Sequence, residues 1–268
     1  MQESREAVGW SAVAQAYAAT FAPLCSGTVD PLLAAAGISG GGPGMRVLDV
    51  GAGTGDLAAA ALAAGAEVTA VDPDPDMLAL ARERAPQARL GRAGLPELPF
   101  GDAAYDAVLA NFVVNHVRDP RAGMRELARV AATGGRVAVT IWPSGQNVQS
   151  RLWAAVIEES GAVPPPSLRL PADRDFPRTC AGLGALLAGA SLRDVEAHPV
   201  RWTHRTDPKA LWRGAAAGVG GIGTTVTAQP TEVRARMEAA YDRLVVPLVR
   251  DGVLVLDTEA LLASGTKA

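Results

Sequence analysis

Three alternating glycines and two nearby carboxylates form the strongest chemical signal in this sequence. The run Val47-Leu48-Asp49-Val50-Gly51-Ala52-Gly53-Thr54-Gly55 ends a short β-branched stretch in a glycine-rich turn, and Asp72 ends the next such stretch. Glycine lets a ligand approach the backbone closely, and a helix that follows such a turn points its first N–H groups at it. The pattern predicts a strand, a tight turn and a helix that handle a nucleotide-like ligand.

A dinucleotide is the first ligand class to consider. Its usual site has the spacing G-x-G-x-x-G, with the pyrophosphate at the helix N-terminus. Here the glycines stand at 51, 53 and 55, and position 56 is Asp. Asp56 and the nearby Asp49 would repel a pyrophosphate. A nicotinamide oxidoreductase is therefore disfavoured.

The turn also resembles the first motif of the class I S-adenosylmethionine-dependent methyltransferases, an acidic residue followed by G-x-G-x-G. The resemblance covers residues 46–142, and the wider grouping is similar to quinone-biosynthesis and natural-product small-molecule methyltransferases. Its further segments are Val71-Asp72-Pro73-Asp74-Pro75-Asp76-Met77-Leu78, Leu98-Pro99-Phe100 with Tyr105-Asp106-Ala107-Val108, and Arg125-Glu126-Leu127-Ala128-Arg129-Val130 with Thr133-Gly134-Gly135-Arg136.

The resemblance implies S-adenosylmethionine as methyl donor and S-adenosylhomocysteine as product. The donor carries a sulfonium, an ammonium and two ribose hydroxyls but no phosphate, so neighbouring carboxylates favour it. Asp72 is expected to accept bonds from the ribose hydroxyls, worth about 1.5 to 3 kcal/mol, although it could instead cap a helix. The expected donor-binding residues are Tyr17, Asp49, Gly51, Ala52, Gly53, Asp72, Pro73, Met77, Ala93, Asn111 and Phe112.

Several of these residues have an equally simple structural role. Pro73 and Met77 are expected to sandwich the adenine, and Tyr17 to close over the methionine end, but Met77 and Tyr17 could be core residues. The family has an Asp where this sequence has Arg92, which leaves the backbone of Ala93 as the expected adenine contact.

The acceptor side is signalled by histidines and aromatic residues. His116 and His204 are candidate general bases for a phenol or amine, because an ordinary histidine pKa of about 6.5 suits proton removal. Either could instead be structural. The expected acceptor pocket consists of Trp142, Trp202, Trp212 and Tyr241, each of which core packing would also explain.

These residues must be positioned by strands and helices that alternate along the chain. Short strands at 46–50, 67–72, 88–91, 105–110 and 136–141 are separated by helical stretches, a pattern that predicts a parallel sheet with helices on both faces. We expect an α/β fold, a doubly wound Rossmann-like sheet of the seven-stranded methyltransferase type. Its expected divisions are an N-terminal helical lid at 1–45, the core at 46–204, a helical cap insertion at 205–250 and a last core strand at 251–268.

Composition bounds the remaining classes. The 268 residues are 49% hydrophobic and 20% charged, with a net charge of −3, so the chain is a folded protein without the basic field that nucleic acid requires. Residues 7–29 lack charges but are too polar and Ala-rich for a membrane span, and the acidic start argues against a secretory signal. We expect a cytoplasmic protein. Cys25 and Cys180 stand alone, so neither a disulfide framework nor a metal site is expected.

The leading hypothesis is methyl transfer to an O, N or C atom of a small-molecule acceptor. The alternative is a protein of this fold that binds the donor without transferring methyl, as a cyclase or a regulatory module. Glycines between 214 and 223 predict a mobile lid in the insertion, or else a surface loop beside a homodimer interface.

Overall fold

The computed structural model describes residues 10–38, 44–145, 147–166, 170–171 and 173–268. The start of the expected first helix, including Val8, lies outside these residues. So does most of the glycine-rich joint before the first strand.

One mixed sheet organises the described residues. Its path is β3-β2-β1-β4-β5-β8-β6, and a short β7 pairs with β8 off this path. Strands β1 to β5 pair in parallel, whereas β8 runs antiparallel to both β5 and β6. The strands are β1 (Arg46–Val50), β2 (Glu67–Asp72), β3 (Arg89–Arg92), β4 (Tyr105–Asn111), β5 (Ala131–Ile141), β6 (Leu192–Thr206), β7 (Val249–Arg250) and β8 (Val253–Lys267). The predicted Rossmann-like, mostly parallel fold is confirmed.

Helices cover both faces of the sheet and form the cap. They are α1 (Ala14–Thr20), α2 (Ala22–Cys25), α3 (Val29–Ala35), α4 (Asp56–Ala63), α5 (Pro75–Arg84), α6 (Pro120–Val130), α7 (Val148–Ser160), α8 (Cys180–Ala188), α9 (Ala210–Ala216), α10 (Gly220–Thr227) and α11 (Thr231–Leu244). Central strands are mostly apolar, and Val47, Leu48 and Val50 of β1 are fully buried. Burial on both faces is what a parallel sheet between two helix layers requires.

The first helical stretch is broken, although its pattern predicts one helix over 6–21. A 3-10 turn at Trp10–Val13 precedes α1, and the helix is interrupted at Phe21, between α1 and α2. Pro23 stands in the first turn of α2, where its missing N–H costs no helix bond. The break lets residues 22–28 turn back toward the sheet.

A two-stranded ribbon carries the cap. The pairing of β5 with β8 stops at Ile141 opposite Leu261, but β6 and β8 remain paired as far as Thr206 opposite Leu254. At about 3.3 Å per residue, the ribbon over residues 254–260 projects roughly 20 Å beyond β5. β6 thus ends two residues inside the segment expected to belong to the cap.

The cap has its own apolar core. Leu254 and Leu256 of the ribbon pack with Trp153 of α7, Trp212 of α9 and Tyr241 of α11. The expected helical insertion after β6 is therefore present as α9, α10 and α11, and α7 joins it. The division of the chain into separate units stays a prediction.

Two glycines of the insertion have a packing role that the sequence pattern does not indicate. A Cβ on Gly214 of α9 would lie 2.6 Å from Thr20 Oγ1, and one on Gly223 of α10 would lie 2.1 Å from the backbone of Gly218. Both glycines are buried inside helices. Gly214 lets α9 approach the end of α1, and Gly223 lets α10 approach the turn that precedes it, so these glycines are not evidence of a loose loop.

Within the described residues, no helix combines the length and apolarity needed to cross a membrane.

Candidate functional site

The glycine turn between β1 and α4 is tied to the end of β2. The N–H groups of Gly51 and Ala52 both donate to the carbonyl of Val71, over 2.7 and 3.0 Å. The N–H of Gly53 donates to Oδ2 of Asp72 over 2.9 Å. Two loops at the carboxyl edge of the sheet, where open α/β folds place their ligands, are thus joined into one surface.

The three glycines of the turn differ in what surrounds them. Their φ angles are +71°, +52° and +84° for Gly51, Gly53 and Gly55, all in the left-handed region. A Cβ on Gly51 would come within 2.4 Å of Val113, and one on Gly55 within 2.8 Å of Ala81, whereas Gly53 has nothing within 4 Å. The geometry makes Gly51 a packing position, while Gly53 leaves open space beside the backbone.

Asp72 is buried beside that space. Its Oδ1 accepts the N–H of Asp74 over 2.9 Å, so each carboxylate oxygen holds one backbone amide and has further accepting capacity. Burial raises its pKa despite these two donors. Asp74 is the N-cap residue of α5, and its Oδ1 accepts hydrogen bonds from the backbone N–H groups of Asp76 and Met77. Helix capping is therefore not the role of Asp72.

Asp49 is a buried carboxylate with one oxygen unpaired. It is 1% exposed, and its Oδ2 has no hydrogen-bond partner. The backbone N–H of Ala58, in the first turn of α4, donates to the carboxylate, while burial first and the nearby Asp72 second raise the pKa to about 7. A cation or donor placed here would satisfy the free oxygen and favour the ionised form.

Tyr17 of α1 lies within electrostatic range of Asp56 and Asp72. Its hydroxyl is hydrogen-bonded to the thiol of Cys25, and burial, Cys25, Asp56 and Asp72 together raise its pKa well above the usual range. Burial raises the pKa of Cys25 to about 12, which leaves it a neutral thiol. The structure thus gives the Tyr17 hydroxyl Cys25 as its partner, and the role of Tyr17 toward the donor stays a prediction.

Asn111 joins the end of β4 to the N-terminal segment. Its Oδ1 accepts from the hydroxyl of Thr140 over 2.5 Å and from that of Thr28 over 2.8 Å. Thr140 Oγ1 also accepts the N–H of Phe112, whose φ is +58°. Thr28 and Thr140 were missed by sequence reasoning because only the fold brings them to Asn111.

The three residues expected to contact the adenine, Pro73, Met77 and Ala93, differ in their surroundings. Pro73 is exposed and Met77 is 3% exposed within the core. Ala93 follows β3 and packs at the edge of the sheet core. Arg92, which replaces the family's Asp, donates to the carbonyl of Pro73 over 2.9 Å. Arg92 therefore ties the loop after β3 to the loop after β2.

Aromatic rings continue from this edge toward the cap. Phe112 stacks on Trp142 with ring centroids 4.2 Å apart, and Trp142 lies 6.1 Å from Trp202 on β6. A Cβ on Gly27 would meet the Trp202 indole at 2.3 Å, so Gly27 lies flat against that ring. The first two members of the expected acceptor pocket are brought together.

The other two members lie elsewhere. Trp212 and Tyr241 pack with Trp153 in the cap core, where Tyr241 is fully buried and donates from its hydroxyl to the carbonyl of Pro208 over 2.5 Å. Core packing, the simpler explanation of these two aromatics, is the one that the structure bears out.

The two candidate bases occupy different surroundings. His204, on the β6 ribbon, is 6% exposed with no partner for Nε2, and burial lowers its pKa. His116 follows β4, keeps an exposed surface, and lies edge-on to Trp10 at 5.9 Å. Desolvation lowers its ring pKa too. Next to His116, the buried Oδ1 of Asn115 has no hydrogen-bond partner. Sequence reasoning did not identify Asn115 as a candidate site residue.

A cavity of about 480 Å³ opens next to the turn, between the α1–α2 segment and α5. Thr54 and Asp56 form one wall, and Arg84, which pairs with Asp56 over 3.1 Å, forms another. Gly53 and Asp72 are not among its lining residues. The cavity borders the glycine turn at Thr54, the residue that follows Gly53.

Comparison with known proteins identifies the domain. Residues 48–139 match the family model described as a methyltransferase domain. The match covers about a third of the chain, and it includes the glycine turn and the end of β2. Over 91 residues it is 42% identical to a demethylmenaquinone methyltransferase of Chlorobaculum parvum, a match that covers 34% of this chain and 38% of that one. The matched segments of the first relatives span about two fifths of their length.

Solved structures share the methyltransferase fold over most of the chain. The YcgJ protein of a Bacillus species has a TM-score of 0.57 at 18% identity, covering 90% of this chain and 97% of that one. The [4+2]-cyclase SpnF has a TM-score of 0.53 at 20% identity, covering 91% of this chain and 82% of that one. At such identities the likeness establishes the fold.

Proposed function

We propose that the methyltransferase domain transfers a methyl group from S-adenosylmethionine to an O, N or C atom of a small-molecule acceptor. The observation that carries the proposal is the surface at the carboxyl edge, where Gly53 leaves space beside two buried carboxylates. Asp72 has accepting capacity left, and Asp49 has an oxygen with no partner.

These groups fit the donor's chemistry. Asp72 would accept from the ribose hydroxyls, and Asp49 would supply negative charge for the cationic end. Tyr17 would close over the methionine end, with the backbone near Asn111 and Phe112 beside it. When bound, S-adenosylmethionine supplies an electrophilic methyl group on a sulfonium.

The chain's own part in the reaction is alignment and exclusion of water. Holding donor and acceptor in line accounts for about 7 to 11 kcal/mol in favourable cases. A proton must leave the acceptor when its nucleophile arrives protonated, and the products are then the methylated acceptor, S-adenosylhomocysteine and a proton. His204 and His116 are the neutral imidazoles available to hold that proton.

Two measurements test the proposal. Calorimetry should detect S-adenosylhomocysteine binding and no comparable binding of NADH; the reverse result would favour an oxidoreductase. Incubation with methyl-labelled donor and a library of small acceptors, analysed by mass, should give acceptors heavier by one labelled methyl group.

The same mass experiment addresses the second candidate function. The likeness to a protein described as a [4+2]-cyclase supports an activity other than methyl transfer for a domain of this fold. An acceptor that rearranges without a mass change, while the labelled donor is recovered intact, would replace methyl transfer with this function.

A further inference from the structure

Two buried polar atoms without partners occur two residues apart on β6. Nε1 of Trp202 and Nε2 of His204 have no hydrogen-bond partner among the described residues. Successive side chains of a strand alternate between faces, so positions 202 and 204 share one face. A buried polar group left unpaired costs about 1 to 3 kcal/mol, which is why most such groups in native proteins have a partner.

The strand partners of these residues place charge on the opposite face. Trp202 is paired with Thr258 and His204 with Leu256, so these four side chains share the inner face. The outer face carries the ion pair of Arg201 with Glu259, 2.6 Å apart. Thr203 donates to Asp257 on that face over 3.0 Å. The inner face of this part of the ribbon therefore presents no charged side chain.

Flat rings connect this face to the glycine turn. Trp202 lies beside Trp142, which stacks on Phe112 directly after β4. Val113, the next residue, packs against Gly51 of the turn. These contacts therefore run from the glycine turn, where we propose that the methyl donor binds, to the unpaired nitrogen of Trp202. Aromatic walls favour a planar ligand, because stacked and edge-on contacts both need flat surfaces.

The two nitrogens also restrict the polar group that such a ligand must carry. An indole N–H only donates, so Trp202 requires an acceptor. Desolvation keeps His204 neutral, and a neutral ring nitrogen can accept. A hydroxyl is the simplest group that accepts from one partner and donates to another. A carboxylate would only accept and would bring an unpaired charge to an apolar face.

We propose that the acceptor is an uncharged, planar aromatic molecule whose hydroxyl group lies between Trp202 and His204. This specifies the substrate class of the proposed methyltransferase, and its methylation rests on that proposed function. Recognition of the ring and the hydroxyl is a binding property that can be measured without turnover.

Three probes distinguish the elements of the proposal: 2-naphthol, 2-methoxynaphthalene and 2-naphthoate. The first has a planar ring and a hydroxyl, the second lacks the hydroxyl proton, and the third is charged. Equilibrium dialysis with saturating S-adenosylhomocysteine should show 2-naphthol binding at least ten times more tightly than either other probe. Equal binding of all three, or no binding, would overturn the proposal.

Substitution of His204 isolates the hydroxyl contact. His204→Phe should bind 2-naphthol and 2-methoxynaphthalene equally, and its ligand-free melting temperature should not fall, since a similar apolar ring removes an unpaired polar atom. His198→Phe, at an exposed position of the same strand, should keep the preference. A preference that survives in His204→Phe would refute the assigned contact.

A separate measurement shows whether the proposed function itself has failed. Calorimetry with S-adenosylhomocysteine on the same samples reports donor binding. Loss of the 2-naphthol preference with donor binding intact would overturn only the substrate class. Absence of donor binding with the preference retained in donor-free protein would overturn only methyl transfer.

Discussion

The N–H of Gly53 donates to Oδ2 of Asp72 across 2.9 Å, and this bond joins the turn after β1 to the end of β2. The carboxylate therefore shapes the turn that leaves open space at Gly53, and it keeps accepting capacity for the donor that we propose binds there. Changes at either residue should affect donor affinity more than the fold.

Asp72→Ala should weaken S-adenosylhomocysteine binding by about tenfold or more, since a lost charge-assisted bond costs about 1.5 to 3 kcal/mol. Calorimetry on the folded variant measures the effect. Asp76→Ala is the matched control, because Asp76 is an exposed carboxylate in the first turn of α5. Equal affinity of the Asp72 variant and the parent would refute the donor-binding role.

Gly53→Val tests the open space beside the turn. A β-branched residue at φ +52° is strained by about 1 to 2 kcal/mol, and its side chain would fill the surface that the donor needs. Gly65→Val also places a β-branched residue at a positive φ, +88°, with nothing within 4 Å, but Gly65 precedes β2 at the other end of the sheet. Both variants should have a lower melting temperature than the parent, and only Gly53→Val should lose S-adenosylhomocysteine affinity. Equal affinities would mean that the donor lies elsewhere.

Local patterns predicted the elements of the core well. β1 and β2 have the expected bounds, and Asp74 followed by Pro75 begins α5, because alternation and capping are encoded in neighbouring residues. The different roles of Gly51 and Gly53 were not predictable, since they depend on Val113, which follows β4.

The candidate site was predictable only where one motif contains it. Tyr241 was expected in the acceptor pocket, but residue type does not tell which core a helical aromatic joins. The unpaired nitrogens of Trp202 and His204 depend on the register of β6 against β8 and on everything packed above them. Such absences of a partner are properties of the fold and leave no sequence signal.

Asp49 should make stability depend on pH. Its pKa is raised from 3.8 to about 7 by burial, so the folded state binds a proton between these values and the unfolded state does not. The stabilisation is fully present below about pH 4 and is lost as the pH rises through 7. Asp49→Asn should therefore gain stability relative to the parent from pH 4.5 to 8, by about 1 to 4 kcal/mol.

Urea unfolding of the ligand-free protein at several pH values measures this gain, with Asp30→Asn, an exposed carboxylate on α3, as control. Asp49→Asn should also bind S-adenosylhomocysteine about ten times more weakly. The reason is that an amide at position 49 has no negative charge to pair with the ligand's ammonium group. A parent and variant with parallel pH profiles would contradict the raised pKa.

The contact between α1 and α9 should make the N-terminal helices and the cap respond to ligand as one unit. Gly214 lies against Thr20 and Phe21, where a Cβ would be 2.6 and 2.8 Å from the nearest side-chain atoms. Gly214→Ala should overpack this contact at a cost of about 1 to 3 kcal/mol. Gly221→Ala, in α10 with nothing within 4 Å, should instead be neutral or stabilising.

Hydrogen exchange with and without S-adenosylhomocysteine tests the lid hypothesis. In the parent and in Gly221→Ala, α1 and α9 should gain protection together on binding, because Tyr17 of α1 is proposed to close over the donor and α9 packs on α1. In Gly214→Ala, α1 should gain protection while α9 stays unchanged. If α9 is already fully protected in the ligand-free parent, a permanent interface such as a homodimer explains the cap better than a lid does.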